Sequence, residues 1–397
     1  MFSLSDIQSH QGEDDCWIAI HGNVYNVTSF LNHHPGGKAI ILRHAGTDAT
    51  RAFSDVHPAE LLDEYLIADQ LLGPLQPTSP DDNQQQLKES PTIQTPPLET
   101  ILSIAEMESL ALQHLSPKAL SYYASATDDE LTKHANGAIF RSILLRPRIF
   151  IDCTHCTLST TMLGNRVGLP IFISPAAMAK LAHPSGETGI AAACSKLNAL
   201  QIISKNASIS VPDIVAAGPS AVFAWQLYVL KDRQATERTL AHIRTIPQIK
   251  FIVLTLDAPF PGKREADERF KAAEVAGGGA PQAWGTESAL TWRKTLEWLV
   301  TQTDLPIVLK GVQTHEDAYA ATLFPAVKGV ILSNHGGRAL DTANTPMQVL
   351  LEIRRFCPQV LEQVEVSCGR DHDGDEAARG EQGERAEATP CEYLDLE

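Results

Sequence analysis

The chain has 397 residues, 43% of them hydrophobic, enough to bury a sizeable core and to fill two or three domains. A formal net charge of −16 and a pI near 5.3 leave no basic face for phosphates, so no nucleic-acid partner is expected. No apolar run approaches the roughly 18 residues of a membrane span, so no membrane is expected either.

The opening Met1-Phe2-Ser3-Leu4-Ser5-Asp6 has neither a basic n-region nor an apolar stretch. It predicts a cytoplasmic protein as written, or one of the mitochondrial intermembrane space if a presequence precedes it. Seven cysteines, at 16, 153, 156, 194, 357, 368 and 391, follow no framework spacing, which suits a reducing compartment. Cys153-Thr154-His155-Cys156 is followed by Thr157 where a covalent haem site needs His, and no second pair completes a zinc site. The two are read as structural cysteines.

Residues 1–72 mix short strand runs, Trp17-Ile18-Ala19-Ile20 and Val24-Tyr25-Asn26-Val27, with helical stretches. His34-Pro35-Gly36-Gly37 marks a turn, and a second histidine follows in Phe53-Ser54-Asp55-Val56-His57-Pro58. Three Lys or Arg stand against ten Asp or Glu here, an acidic surface that either steers a basic partner or is simply solvated. From Gly73 to about Leu98 the composition shifts to Pro, Gln, Ser, Thr and Asp. That is too poor in apolar surface to fold alone and predicts a flexible linker over 76–98.

Past Ile101, apolar runs at 169–173, 199–203, 221–225, 251–255, 306–310 and 329–332 alternate with helical patterns. That alternation predicts a parallel (β/α)8 barrel of TIM type, and no G-x-G-x-x-G follows the first strand to suggest a doubly wound sheet. Each run ends in polar residues: Ser174, Ser204, Gln226 with Tyr228, Thr255 with Asp257, Lys310, and the loop Ser333-Asn334-His335-Gly336-Gly337-Arg338. Converging strand ends are where such barrels carry chemistry. In the last loop the glycines admit a flat ligand, His335 is a proton acceptor and Arg338 offers a planar fork to a carboxylate. Ala276-Gly277-Gly278-Gly279-Ala280 reads as a mobile loop over the site or an insertion.

The pattern of residues 1–72, with Ala45-Gly46-Thr47-Asp48-Ala49-Thr50 between its histidines, resembles the cytochrome b5 family. The resemblance implies an α+β domain over 1–75 with His34 and His57 as axial ligands of a non-covalent haem b, a closed iron that shuttles single electrons. The barrel segment, with Ser121-Tyr122-Tyr123-Ala124-Ser125-Ala126 and Leu145-Arg146-Pro147-Arg148-Ile149 ahead of it, resembles the FMN-dependent 2-hydroxy-acid dehydrogenases and oxidases over 99–366. This implies FMN as second cofactor and oxidation of an L-2-hydroxy acid, L-lactate or similar, to the 2-oxo acid. Electrons would pass through the haem to a cytochrome c-like acceptor.

By the same resemblance His335 would take a proton from the α-carbon, or from the hydroxyl if a hydride leaves, and Asp257 would hold its imidazole. Arg338 and Tyr122 would clamp the carboxylate, Tyr228 would bond the hydroxyl, and Arg264 would be a second cation. Lys310 would face the flavin N1/C2 edge, while Ser204, Gln226, Thr255 and the backbone of Ala176 and Ala177 would bind the ring. Tetramers are common in the family, which implies a homo-oligomer. Ala339 stands where Gln is usual, and Asn206 where the side-chain pocket is usually apolar or aromatic, so a larger or more polar acid suits the pattern as well as lactate.

Val364-Glu365-Val366 begins a seventh strand, after which the chain from Ser367 to Glu397 is charged and without strand or helix pattern. The expected architecture is an α+β haem domain, then an incomplete α/β barrel of about six strands plus the start of a seventh, then a disordered tail over 367–397. The abrupt switch reads as a frameshift, a mis-spliced exon or a truncation that removes strands and flavin phosphate donors. The alternative expectation is a haem-binding electron carrier with an inactive barrel.

Overall fold

The computed structural model describes residues 1–34, 37–66, 68–76, 96–260, 262–274 and 285–369. Four strands open the chain: β1 (Gln11–Gly12), β2 (Asp15–Ile20), β3 (Asn23–Asn26) and β4 (Leu71–Pro74), an antiparallel sheet in the order β1-β2-β3-β4. His21 and Gly22, with φ of 50° and 73°, form the two-residue turn between β2 and β3, the left-handed geometry whose twist suits a hairpin. Cys16, Ile18 and Ile20 share one face of β2 and pack with Val27, Leu31, Ile41, Ala45, Ala49 and Leu62. Short helices at Lys38–Arg43 and Thr50–Ser54 lie beside this core and set the turns that carry the two histidines.

The second body begins with the helices Ile104–His114, Pro117–Ala124 and Leu131–Ala138. A hairpin follows, β5 (Thr160–Met162) with β6 (Asn165–Val167), and then seven parallel strands: β7 (Phe172–Ile173), β8 (Leu200–Ile203), β9 (Val222–Leu227), β10 (Ile249–Thr255), β11 (Ile307–Val312), β12 (Val327–Leu332) and β13 (Glu365–Cys368). Their spatial order is their chain order, with helices in the crossovers, as a barrel wall requires.

The wall has two apolar sides. Leu200, Ile202, Ala224, Phe251, Val253, Val308 and Ile331 point inward and meet Met162 and Val167 of the hairpin, which plugs the N-terminal end. The alternate residues, among them Ile203, Trp225, Leu227, Ile252, Leu254 and Leu309, face the outer helices. Burying each such side chain contributes roughly 1.5–3 kcal/mol.

All six expected runs are strands, and β13 runs two residues past the expected boundary at 366, so Ser367 and Cys368 belong to the wall. Their ladder to Ile331 and Leu332 is made by backbone groups, which need no apolar side chain. Among the described residues β7 and β13 each have one neighbour in the sheet, and Ile173 on β7 is 42% exposed. The hairpin β5–β6 was not foreseen, because its three-residue strands carry mixed side chains. The expected glycine loop at 276–280, the linker over 77–95, Pro35, Gly36 and residues 370–397 lie outside the described residues. No helix among the described residues is long and apolar enough to cross a membrane.

Candidate active site

The inward parity of the wall continues past the strand ends and becomes polar there. Stepping by two from the inward Ile202, Ala224, Val253, Val308 and Ile331 reaches Ser204, Gln226, Thr255, Lys310 and Ser333, and a further step reaches Tyr228, Asp257 and His335. Eight polar side chains therefore converge on one end of the barrel. Ser204, Gln226 and Thr255 form a buried ladder across β8, β9 and β10: Ser204 Oγ donates to Gln226 Oε1 (3.1 Å) and Gln226 Nε2 donates to Thr255 Oγ1 (3.1 Å).

Asp257 is the electrostatic centre. Its Oδ1 lies 2.7 Å from His335 Nδ1, and its Oδ2 accepts from Ser333 Oγ at 2.9 Å and faces Lys310 Nζ at 3.5 Å. Lys310 Nζ also donates to Ser333 Oγ at 2.9 Å, and the His335 amide donates to the same hydroxyl at 3.0 Å. Burial pushes the Asp257 carboxyl up, but the Lys310 and His335 charges and the hydrogen bonds outweigh it and hold it well below the carboxylate range. A carboxylate only accepts, so Nδ1 of His335 carries a proton, and Nε2 is the ring nitrogen turned toward the open end of the site. Nε2 faces the Tyr228 hydroxyl at 3.4 Å, and burial drives the Tyr228 phenol far up, so it stays a neutral donor.

The loop that holds His335 is tightly fixed. His335, Gly336 and Gly337 all have positive φ, of 59°, 69° and 65°. Asn334 and Asn136 exchange amide hydrogen bonds at 2.8 Å in both directions, and Asp341 accepts from the amides of Leu131 and Thr132. A non-glycine residue in the left-handed region is held against its preference by such contacts, a form of strain that clusters at active sites.

The helix Pro117–Ala124 supplies the other wall. Arg338 donates to the backbone carbonyls of Tyr122 and Tyr123, the latter at 2.9 Å, and its guanidinium lies 5.2 Å from the centre of the Tyr122 ring. Arg264 lies 5.1 Å from that ring and pairs with Asp267 at 3.1 Å. Both expected cations and Tyr122 are thus together, with Arg338 occupied partly by backbone carbonyls. Ala176 is exposed and Ala177 half-buried on the segment after β7, where Tyr123 donates to the carbonyls of Ala177 and Met178. Asn206 is exposed, and its carbonyl accepts from Met178.

Ser333, Glu187, Ser208 and Tyr123 are the groups sequence reasoning passed over. Glu187 is 1% exposed and accepts from the amides of Ala179 and Ser208, both at 2.9 Å, and from Ser208 Oγ at 2.7 Å. Ser333 had a signal, because it shares the inward parity of Ile331. Cys153 and Cys156, read as structural, are both exposed and free: they sit in an open loop with no core to join.

In the first body the rings of His34 and His57 lie 6.1 Å apart, centre to centre, at 86°. Metal–imidazole bonds of about 2 Å on each side would fill that gap with one ion between them. His34 Nδ1 bonds the Gly37 carbonyl at 3.2 Å, which leaves its Nε2 for a metal. Phe30 stands against His34 and Phe53 against His57, an apolar surround for a flat macrocycle. Burial lowers the pKa of both histidines, that of His57 to about 4 with help from His34 and Lys118, so both are neutral as ligands must be.

The profile of FMN-dependent dehydrogenases matches residues 111–369, well over half of the chain. The chain belongs to the FMN-dependent dehydrogenase family. A cytochrome b5-like haem- or steroid-binding domain matches residues 3–76, and the facing histidines select haem. The L-lactate dehydrogenases (cytochrome) of Wickerhamomyces anomalus and Saccharomyces cerevisiae are 36% and 35% identical to it, over 87% and 88% of this chain. The chain spans 63% and 64% of the length of these curated relatives. A solved flavocytochrome b2 with sulfite bound superposes with a TM-score of 0.64 at 35% identity, over 69% of each chain. FMN and haem are accordingly the cofactors of the two domains. The donor set fits FMN: a buried amide and two hydroxyls suit the edge of a heteroaromatic ring, and the buried Lys310 suits an edge that gains negative charge.

Proposed function

We propose that the chain oxidises an L-2-hydroxy acid to the 2-oxo acid and delivers the electrons through its haem domain to a cytochrome c-like acceptor. The observation that carries this reading is the His335 Nδ1–Asp257 bond of 2.7 Å, which aims Nε2 at the Tyr228 hydroxyl beside two arginines. Bound FMN supplies a two-electron acceptor, and bound haem passes electrons on singly.

The protein's own groups do the rest. Arg338 and Arg264, flanking Tyr122, attract and orient the carboxylate. Tyr228 O–H bonds the substrate hydroxyl. His335 Nε2 takes one proton, from the α-carbon or from the hydroxyl, and two electrons leave the substrate in either case. Asp257 then faces an imidazolium that its fixed negative charge stabilises, while Ser333 and Lys310 keep the carboxylate from turning. His34 and His57 would hold the haem iron. Asn206, exposed here and assigned to the side-chain pocket by the family resemblance, supports acids longer or more polar than lactate alongside lactate itself. A homo-oligomer, a tetramer by family habit, belongs to the same reading, as does a cytoplasmic or intermembrane-space location.

The test is a product assay. The purified holoprotein is given L- and D-enantiomers of lactate and of longer 2-hydroxy acids, and the 2-oxo acid is trapped as its hydrazone. Product from L-acids alone is expected, and no 2-oxo acid from any of them would overturn the proposal. The second reading, a haem-binding electron carrier, is favoured by one observation, that among the described residues β7 and β13 each have one neighbour in the sheet. It predicts a haem that is reduced by a protein donor and by no hydroxy acid.

A further inference from the structure

Cys153 and Cys156 belong to neither cofactor site. They lie in the segment 146–156, exposed throughout, between the helix Leu131–Ala138 and the plug hairpin β5–β6, and both thiols are free. Thr154 and His155 are the two middle residues of a turn, which makes Cys153 its first residue and Cys156 its fourth. The outer Cα atoms of such a turn lie within about 7 Å of each other, and a disulfide spans about 4.4–6.8 Å. The turn is held without the sulfurs, since the Asp152 carboxylate accepts from the Thr154 amide at 2.9 Å and from the Thr154 hydroxyl. Cys153 Sγ donates to the Ile151 carbonyl at 3.4 Å, a weak bond that is easily given up.

The other described cysteines differ from this pair. Cys16, Cys194 and Cys357 are buried and Cys368 is half-buried. Burial pushes all four thiols up, those of Cys16 and Cys368 to about 11, so they stay protonated and out of reach. Within 146–156 the charges are Arg146, Arg148 and one carboxylate, Asp152, a local cationic excess in a chain of net charge −16, and it attracts an anionic reagent. Among the described residues no set of three His, Cys, Asp or Glu side chains is placed to hold a metal ion, so two thiols in bonding reach are left with disulfide chemistry.

We propose that Cys153 and Cys156 form a reversible dithiol–disulfide site that exchanges with small anionic disulfides of the glutathione class. One thiolate of the pair attacks a sulfur of the small disulfide; that S–S bond breaks, a mixed disulfide forms and one small thiolate leaves. The second cysteine, as thiolate, attacks the protein sulfur of the mixed disulfide, the Cys153–Cys156 bond forms and the second small thiolate leaves. The two protons given up by the pair end on the two small thiols, and two electrons pass from the pair to the small disulfide. Neither FMN nor haem takes part, so the exchange stands or falls apart from the function proposed above.

Trypsin cuts after Arg148 and Arg166 and leaves both cysteines in one peptide, 149–166. The full holoprotein is equilibrated with mixtures of reduced and oxidised glutathione, remaining thiols are blocked with iodoacetamide, and this peptide is weighed by mass spectrometry. As oxidised glutathione rises, a form lighter by two hydrogens than the dithiol is expected, with the mixed disulfide about tenfold rarer, and excess reduced glutathione should restore the dithiol. Cys153→Ser and Cys156→Ser should each stop at the mixed disulfide of the remaining cysteine. The same chain unfolded in guanidinium should close the ring about tenfold less readily at an equal glutathione ratio, because the turn no longer holds its ends together. Two blocked thiols at every ratio, a mixed disulfide that never closes, or a bond from either residue to a different cysteine overturns the site. Equal closure in the folded and unfolded chain overturns the part of the turn in it.

Discussion

His335, Asp257, Ser333 and Lys310 form a unit in which no member is replaceable alone. His335→Gln removes the base while keeping its size, and substrate oxidation is expected to fall by about 10²–10⁴-fold with flavin and haem spectra intact. Steady-state assay with quantified cofactors checks this, and a loss of less than tenfold would take His335 out of the role of base. Asp257→Ala leaves the Lys310 ammonium buried with Ser333 as its remaining partner in the unit. Removing one member of a buried pair costs on the order of 3–5 kcal/mol, so a drop in melting temperature should accompany the loss of rate. Most of this unit is legible in the sequence because every member is an even step from an inward apolar residue of its own strand. Glu187 is not, because its partners are amides and a hydroxyl 8 and 21 residues away, and nothing in an alanine-rich helix announces a carboxylate turned inward. The reciprocal Asn136–Asn334 pair spans 198 residues and is equally silent.

At the scale of single elements, the end of β11 depends on one glycine. Gly311 has φ of 101°, and a Cβ there would lie 2.5 Å from Asp257 Cβ and 2.6 Å from its amide nitrogen. Gly311→Ala is expected to displace Asp257, costing about 1–3 kcal/mol in backbone strain alone and lowering activity with it. Gly164→Ala in the β5–β6 turn, with φ of 74° and nothing within 4 Å, is the control and should cost about 1 kcal/mol without loss of activity. Thermal melts and rates of the two variants side by side decide the matter; equal effects would mean that the glycine only shapes the turn.

In the haem domain, His57 titrates at about 4 and His34 below its ordinary 6.5, both chiefly because burial disfavours the charged form. The unfolded chain binds protons more readily than the folded one, so stability is full above about 6.5 and is lost as pH falls toward 4. Haem-free protein should therefore melt progressively lower across that window, as followed by circular dichroism, and a flat profile would mean that these histidines are solvated. Strand positions were legible because apolar runs of about four or five residues between helical patterns are too short for buried helices and too apolar for loops. The reach of β13 to Cys368 was not, because a parallel ladder is made by backbone groups.

Across the whole molecule, an acidic domain with two facing histidines precedes a seven-stranded parallel wall whose polar end gathers a base, its carboxylate and two arginines. The division into two bodies was readable from the composition shift between them. The contact between them was not, since Lys180 and Ser54 lie 126 residues apart and neither belongs to a motif. The central claim is that electrons leave a hydroxy acid at His335 and arrive between His34 and His57 within one chain. Its most direct test is an absorption spectrum of the purified holoprotein under nitrogen, before and after adding L-lactate and longer L-2-hydroxy acids. Appearance of the reduced haem bands with at least one of these acids, and not with its D-enantiomer, is the predicted result; a haem that stays oxidised with every acid while a chemical reductant still reduces it would contradict the account.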